Sequence, residues 1–261
     1  MSDAPVLYSV EDHVATITIN RPQAYNSLNY EAYEQLTARL EEASGDVEVR
    51  AIVLTGTGKG FCTGDDVREL LGEGAAELGR RIASGELRLP GSAMRRSDRP
   101  IIGAVNGAAV GYGMELSLLC DIRIAAEQAR FSEMFVRRAI VAGADSFEIL
   151  PQIVGASAAA ELLMSGDLID ARRALELGLV SRVVPDDELL PTAHELARHL
   201  AANPPLAVQA AKRALNLARN GKAKELRDYL NSQVSTLLAT DDHHESVAAF
   251  LERREPAFRG R

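Results

Sequence analysis

Hydrophobic positions in the first 185 residues alternate between strand-like and helix-like spacing. Residues 6–20 alternate around β-branched side chains, a period-2 pattern that predicts two short strands. The continuous apolar runs 51–55 and 101–105 are typical of strands buried on both faces of a parallel sheet. Two further short runs predict strands at 121–125 and 180–184.

Between the predicted strands the spacing becomes helical. Residues 30–43 place Tyr33, Leu36 and Leu40 on one face, which predicts an amphipathic helix. Residues 75–94 are predicted to be mostly helical, with interruptions at Gly79, Gly85 and Pro90. The other predicted helices are 111–120, 171–177, 188–201, 206–220, 224–239 and 244–254.

Strand–helix alternation followed by a helical tail predicts an α/β fold. We expect a core over residues 1–200 and a C-terminal helical region over 201–261, with Asn203-Pro204-Pro205 as punctuation between them. The length of 261 residues suits one large unit with such an appendage.

Composition narrows the possible partners. The chain has 37 acidic and 29 basic residues, a net charge of −8, so it lacks the positive footprint of a nucleic-acid-binding protein. We also expect no binding to an anionic membrane surface and no membrane span, since no apolar run approaches about 18 residues. Two cysteines, Cys62 and Cys120, favour a reducing compartment, and we expect a cytoplasmic protein.

Two glycine-rich segments, 55–66 and 106–115, each follow a predicted buried strand and lead into a helix. Loops at the carboxyl ends of parallel strands bind ligands in α/β proteins, and glycines let backbone N–H groups approach a substrate oxygen. For either segment alone, tight turns and close helix–strand packing are the favoured interpretation, because a single glycine-rich loop is a weak signal. The sequence has no G-x-G-x-x-G after its first strand, no G-x-x-x-x-G-K-[ST] and no G-x-S-x-G, so common dinucleotide, phosphate and hydrolase signatures are absent.

Taken together and in this order, the two segments resemble the crotonase superfamily of enoyl-CoA hydratases and isomerases. The resemblance covers nearly the whole chain. Beyond the two glycine-rich segments, the matching segments are 20–22 (Asn-Arg-Pro), 26–29 (Asn-Ser-Leu-Asn), 120–125, 163–167, 171–180 and 248–254.

The resemblance implies a spiral of ββα repeats that forms two roughly perpendicular sheets. It also implies a helical tail that mediates assembly into a homotrimer or a dimer of trimers. The implied substrate is an acyl-CoA thioester, with coenzyme A as part of the substrate and no separate cofactor. We expect no metal site, because the His243-His244 pair is placed at the start of a helix.

Site residues follow from the same resemblance. The thioester carbonyl would lie between the backbone N–H groups of Asp65 and Tyr112, an oxyanion hole that stabilises an enolate. Glu115 matches the first catalytic glutamate of the family and lies three residues after Tyr112, on the same side of a helix. The second glutamate position aligns with Phe135, whose phenyl ring cannot transfer a proton.

Nearby acids are therefore considered as substitutes. Some superfamily members carry an aspartate about eight residues later, in the register of Gly143, and Asp145 lies two residues further on. We predict Asp145 as the second catalytic acid, with a turn or helix cap as the alternative. Glu133 is expected to be solvated or paired with Arg137. The residues predicted to contact substrate are Arg21, Ala24, Thr63, Gly64, Asp66, Gly111 and Phe135.

The sequence therefore predicts an enzyme that processes acyl-CoA through an enolate, by isomerisation or hydration of an enoyl-CoA. Isomerisation is chemically easier, because Phe135 removes one arm of the two-glutamate pair. Two alternatives remain open. One is a catalytically weak acyl-CoA-binding subunit, and the other is a crotonase-type hydrolase, dehalogenase or decarboxylase of a CoA thioester.

Overall fold

The computed structural model describes residues 4–72 and 74–261. Ten strands in these residues form two sheets, as the resemblance implied. The strands are β1 (Val6–Glu11), β2 (Val14–Ile19), β3 (Ala51–Gly56), β4 (Gly60–Cys62), β5 (Ile101–Val105), β6 (Ala108–Val110), β7 (Ile122–Ala126), β8 (Arg130–Ser132), β9 (Ile169–Asp170) and β10 (Arg182–Val184).

The larger sheet has the order β1-β2-β3-β5-β7-β10, and the smaller has the order β4-β6-β8-β9. The β1–β2 and β8–β9 pairs are antiparallel, and every other pair is parallel. Every residue of β3 and of β5 is buried, as expected for runs that are apolar throughout.

Eleven α-helices of the described residues surround the sheets. They are α1 (Tyr30–Gly45), α2 (Ala75–Ser84), α3 (Pro90–Arg96), α4 (Tyr112–Leu119), α5 (Ala144–Val154), α6 (Ala156–Ser165), α7 (Ala171–Glu176), α8 (Leu189–Ala201), α9 (Pro205–Arg219), α10 (Ala223–Leu238) and α11 (Asp241–Glu252).

The first strand of each repeat lies in the larger sheet and the second in the smaller. Three successive units show this arrangement: β3 and β4, β5 and β6 followed by α4, and β7 and β8 followed by α5. The α/β spiral of ββα repeats predicted from the sequence is confirmed. Each crossing from one sheet to the other passes through a short turn, and the segments that follow β4 and β6 line the candidate site.

Two sequence predictions about elements were wrong. Residues 56–64 were predicted to be loop, but Gly60–Cys62 form β4 and pair with β6. The interruption predicted at Gly79 was wrong, since α2 continues through that residue. The interruptions predicted at Gly85 and Pro90 are confirmed, because the chain turns at Gly85 with φ of 72° and Pro90 begins a new helix.

Two apolar clusters flank the larger sheet. One contains the faces of α1 and α4 and reaches both sheets. The other lies between the sheet and α8, whose small residues Ala193, Ala197 and Ala201 allow the helix to pack against Val53 and Ile102. Because α8 covers one face of the sheet, it is part of the core.

The C-terminal helices α9–α11 also contact the core. Lys212 of α9 is buried, donates to the carbonyl of Arg99 at 2.7 Å and pairs with Asp121 at 2.8 Å. Arg50 donates to the carbonyl of Phe258 at 3.0 Å. The division at residue 200 stays a prediction. None of the described helices is long and apolar enough to cross a membrane.

Candidate active site

Two asparagine side chains hold the first glycine-rich loop, which follows β3. Asn106, at the end of β5, accepts from the N–H of Gly56 at 3.1 Å and donates to the carbonyls of Gly58 and Gly60 at 3.0 Å. Asn26 is fully buried and also donates to the carbonyl of Gly60, at 2.6 Å. These amides replace the regular hydrogen bonds that a loop leaves unmade, and they fix the path from β3 into β4.

The two glycine-rich loops meet at Gly64 and Tyr112. Gly64 has φ of 83°, and a Cβ placed on it would lie 3.1 Å from the backbone nitrogen of Tyr112 and 3.0 Å from the carbonyl oxygen of Val110. Tyr112 is the first residue of α4, so its N–H has no partner within the helix. The N–H groups of Asp65 and Tyr112 thus flank the same contact between loops, at the positive end of a helix dipole.

A cavity of about 730 Å³ opens in front of these two residues. It collects every residue predicted to contact substrate as well as both predicted oxyanion donors. The predicted residues that line it are Arg21, Ala24, Thr63, Gly64, Asp65, Asp66, Gly111, Tyr112 and Phe135. The two predicted catalytic acids, Glu115 and Asp145, are not among the lining residues.

Arg21 lines the cavity but is already paired. Its guanidinium contacts Asp66 at 3.0 Å and Glu69 at 3.5 Å, and it donates to the carbonyl of Ser27. Burial opposes ionisation of Asp66, yet Arg21 and the N–H groups of residues 68 and 69 outweigh it and lower the pKa of that carboxyl. Arg21 therefore fixes the wall of the cavity.

Two other arginines, which the sequence analysis did not single out, line the same cavity. Arg68 and Arg138 are exposed, and neither forms an ion pair with another residue of the described ranges. Their position in the sequence could have indicated them, because Arg68 lies two residues after the first glycine-rich segment and Arg138 lies five residues after Glu133. They supply positive charge at the cavity that the net charge of −8 does not reveal.

Glu115 is buried on α4 behind the cavity wall. Burial and the nearby Asp145 raise the pKa of its carboxyl to about 7, although backbone N–H groups of Asp145 and Gly143 bond to it. A Cβ at Gly143 would lie 2.2 Å from Oε1 of Glu115. The segment 140–143, which is neither helix nor strand, runs from Ile140 in the cavity wall to this carboxylate.

Asp145 lies in the first turn of α5, close to Glu115. Its carboxylate is bonded by Arg95, and the same guanidinium also contacts Glu148 at 2.8 Å. The hydroxyl of Tyr112 accepts from the N–H of Gly91 at 3.1 Å on this side of the wall. Asp145 therefore neighbours the predicted base and is held by a cation, and its catalytic role stays a prediction.

The prediction for Glu133 was wrong. Its side chain is buried, with 1% of its surface exposed, and its Oε2 accepts from the Ser146 hydroxyl at 3.0 Å. Arg137 instead pairs with Asp167. Burial, and to a lesser extent the charge of Glu115, raises the pKa of Glu133 to about 7, and no atom of the described residues forms a hydrogen bond with its Oε1. Sequence reasoning missed this because Ser146, on α5, is brought over the carboxylate only by the fold.

A tyrosine that the sequence analysis placed in the helix core belongs to the site. The Tyr33 hydroxyl donates to Oδ1 of Asp65 at 2.6 Å, and its ring lies 5.4 Å from the Tyr112 ring, centroid to centroid. Burial raises the pKa of the Asp65 carboxyl, and the Tyr33 hydrogen bond partly opposes that rise. Asp65, which lines the cavity, therefore has its carboxyl group held by a residue of α1.

Nucleophilic and metal chemistry find no support in the described residues. Cys62 is fully buried, and burial raises the pKa of its thiol to about 12, so the thiolate is scarce at neutral pH. Within 4–72 and 74–261, no group of three or more His, Cys, Asp or Glu side chains is arranged to hold a metal ion.

Comparison with known proteins adds to this geometry. The family model for enoyl-CoA hydratase/isomerase matches residues 9–261. The chain is 38% identical to (E)-benzylidenesuccinyl-CoA hydratase of Thauera aromatica over 98% of this chain and 99% of that protein. It is 35% identical to 1,2-epoxyphenylacetyl-CoA isomerase of Escherichia coli over 98% of both.

Solved structures show the same likeness. An enoyl-CoA hydratase from Bacillus anthracis superimposes with a TM-score of 0.92 at 33% identity, covering 98% of this chain and 100% of that one. An enoyl-CoA hydratase/isomerase from Mycobacterium paratuberculosis gives a TM-score of 0.89 at 34% identity over the full length of both chains.

Proposed function

The chain belongs to the enoyl-CoA hydratase/isomerase family, whose members are lyases or isomerases that act on CoA thioesters, and on that premise we propose that it moves a proton on an enoyl-CoA through a thioester enolate. The observation that supports the proposal is the close approach of Gly64 to the backbone nitrogen of Tyr112 at one end of a 730 Å³ cavity, where the N–H groups of Asp65 and Tyr112 would both donate to a thioester oxygen. Such donors stabilise the charge that develops on the oxygen when an α-proton leaves.

Glu115 is the proposed base. With a pKa of about 7, its carboxylate is substantially ionised at neutral pH and is still basic enough to accept a proton from carbon. It lies three residues beyond Tyr112 on α4, and Ile140 belongs to the cavity wall in front of it. We propose that the 140–143 segment moves aside when the acyl carbons of a bound substrate approach Glu115.

We favour double-bond isomerisation over hydration. Hydration in this family uses two glutamates to hold a water molecule, and Phe135 lines the cavity where the second would stand. Isomerisation needs no bound water molecule, because the group that removes a proton at one end of the allylic system, or a second acid, can return a proton at the other end. Hydration remains the alternative, supported by the hydratase relatives at 38% identity.

The coenzyme A portion is proposed to bind at the cavity mouth, where Arg68 and Arg138 can meet its phosphates. No separate cofactor is required, since the thioester itself supplies the electron sink. We further propose that the protein is a cytoplasmic homotrimer or dimer of trimers. The exposed apolar residues of the tail support the assembly, among them Phe250 and Leu251 at 82% and 74% exposure.

The experiment is a mass-spectrometric and NMR analysis of products from 2-enoyl- and 3-enoyl-CoA substrates. The wild type is expected to interconvert the two double-bond positions, and Glu115→Gln is expected to lose about 100-fold or more in kcat while it still binds acyl-CoA. Rapid formation of 3-hydroxyacyl-CoA would show that the protein hydrates enoyl-CoA and would overturn the preference for isomerisation. Tight acyl-CoA binding with no Glu115-dependent turnover would instead support the binding-subunit alternative.

A further inference from the structure

Among the described residues that line the cavity, three carry a carboxyl group: Asp65, Asp66 and Glu69. Asp66 and Glu69 both contact the guanidinium of Arg21. Asp65 forms no ion pair with any residue in the described ranges, and its one side-chain partner among them is the Tyr33 hydroxyl, at 2.6 Å. Asp65 is thus the cavity carboxyl that no cation neutralises.

The other candidate acids are less well placed. Asp145 is bonded by Arg95 and does not line the cavity. Glu133 is 1% exposed and is bonded by Ser146 behind the wall. Phe135 occupies the aligned position of the second family glutamate. Glu115, the proposed base, does not line the cavity either, so the lining residues are the remaining source of a second proton-transfer group that meets substrate there.

The covalent structure of Asp65 fixes the reach of its carboxyl group. Its backbone N–H is a proposed donor to the thioester oxygen, and the side-chain carboxyl carbon is three bonds from that nitrogen. The carboxyl group also bonds to that same N–H, so a thioester held by the N–H would lie close to the carboxyl group. Tyr33 fixes the rotamer from α1, and its own ring packs on Tyr112.

We propose that the Asp65 carboxyl, oriented by Tyr33, is the second proton-transfer group of this site. This inference rests on the proposed function. Glu115 takes a proton from one carbon, and the C–H electron pair enters a dienolate whose charge lies on the thioester oxygen. The O–H bond of protonated Asp65 then breaks, its proton forms the new C–H bond, and the charge passes to the Asp65 carboxylate. Exchange with solvent returns the proton from Glu115 to Asp65.

Charge balance favours this arrangement. An ionised carboxylate beside a developing oxyanion would oppose enolate formation, whereas a protonated carboxyl group does not. Once the proton has been transferred, the Tyr33 hydroxyl donates to the new carboxylate. Burial keeps the pKa of Asp65 above its usual range, which favours the protonated form.

Groups facing Asp65 do not titrate in the same range. They are Tyr33 from α1, Cys62 from β4 and Tyr112 from α4, and burial raises the pKa of each. Glu115 is the other group whose titration affects the rate, and it acts in the opposite sense, because it must be ionised. The active form has Glu115 ionised and Asp65 protonated, so the pH profile should have two limbs, one set by the pKa of each group.

The test measures kcat, KM and the pH profile for 3-hexenoyl-CoA with the wild type and four variants. Asp65→Asn keeps the backbone N–H and the side-chain shape but cannot release a proton. We expect its kcat to fall about 100-fold or more, with KM changed less than about threefold. Glu115→Gln removes the limb of the pH profile that is set by Glu115 and so identifies it. Asp98→Asn is the control, since Asp98 is bonded by Arg213 at 2.7 Å on the far side of the core and should keep full activity.

Tyr33→Phe tests the orienting role and serves if Asp65→Asn fails to fold. Loss of the hydroxyl removes a bond that lowers the pKa of Asp65, so the limb set by Asp65 should move to higher pH while kcat falls about 10-fold. A Tyr33→Phe profile in which neither limb moves, or an Asp65→Asn variant with kcat within threefold of the wild type, overturns the inference. A wild type that converts no enoyl-CoA overturns the proposed function and this inference together.

Discussion

Glu115 and Gly143 fit each other at the residue scale. The carboxylate occupies the space that a side chain at position 143 would fill, since a Cβ there would lie 2.2 Å from Oε1. Position 143 is also the register in which some superfamily members carry an aspartate. An acidic side chain at position 143 would therefore collide with the Glu115 carboxylate. The acid at this point of the structure comes from α4.

Gly143→Ala tests this fit. The added methyl group must push the Glu115 carboxylate away from the N–H groups that bond to it, so we expect kcat to fall about 100-fold with KM little changed. Gly45→Ala is the matched control, because a Cβ there has nothing within 4 Å. Equal activity of the two variants in steady-state kinetics would contradict the role assigned to Gly143.

Glu133 allows a prediction about stability. Its raised pKa means that the folded state pays to ionise it, so the wild type loses stability as the pH rises from about 4.5 to 7. A pKa of about 7 corresponds to a cost on the order of 3 kcal/mol above that range. Glu133→Gln removes this dependence, and its Tm relative to the wild type should rise by several degrees between pH 5 and pH 8.

Thermal unfolding by circular dichroism at the two pH values measures the effect. Glu161→Gln, at an exposed position of α6, is the control and should show the same pH dependence as the wild type. A Tm difference for Glu133→Gln that is the same at pH 5 and pH 8 would mean that Glu133 is not the buried ionising group described here.

At the scale of elements, the position of the oxyanion donors depends on the turn between β3 and β4. Asn106→Ala removes three hydrogen bonds to the backbone of that turn. We expect a loss of about 2–4 kcal/mol in the free energy of unfolding, from buried backbone groups left without partners. Because Asp65 follows the turn, kcat should fall as well.

Chemical denaturation and steady-state kinetics of the same preparation give both quantities. Asn203→Ala is the control, since Asn203 also donates to main-chain carbonyls, at 3.0 Å for His199, but lies between α8 and α9. It should keep its kcat. If Asn106→Ala is destabilised and yet keeps full kcat, the turn does not position the catalytic N–H.

The elements also show what the sequence could predict. The long periodic or fully apolar segments, such as β3, β5 and α4, were predicted because the local pattern of apolar residues indicates that they are buried. The individual strands of the smaller sheet were not predicted from the pattern, because β4, β6 and β8 have three residues each and show no period. Likewise the oxyanion donors were predicted through motifs, whereas Tyr33 and Glu133 entered the site only through contacts between distant elements.

At the scale of the whole molecule, the tail leaves apolar residues exposed on α9–α11. Phe250 and Leu251 are the most exposed large apolar residues of α11. An exposed apolar surface of this kind in a protein of this family favours assembly. Within this tail, α9 also bonds to the core through Lys212 and Arg213, so changes in α9 would affect both assembly and the stability of the core.

Phe250→Ser tests this surface. We expect light scattering coupled to size-exclusion chromatography to show a trimer or hexamer for the wild type and a smaller species for the variant, because a central apolar contact is lost. Val47→Ser is the control, since Val47 is 80% exposed but lies after α1. A wild type that elutes as a monomer at micromolar concentration would contradict the proposed assembly.

The central chemical proposal is that two backbone N–H groups and Glu115 form an enolate from a CoA thioester. Exchange of the α-protons of butyryl-CoA in D₂O, followed by NMR, isolates this step, because a saturated acyl group can be neither isomerised nor hydrated. The wild type should catalyse exchange, and Glu115→Gln should slow it about 100-fold or more. Butyryl-CoA that binds the wild type, as calorimetry would show, without exchange above the solvent rate, or exchange that Glu115→Gln leaves unchanged, would contradict the claim.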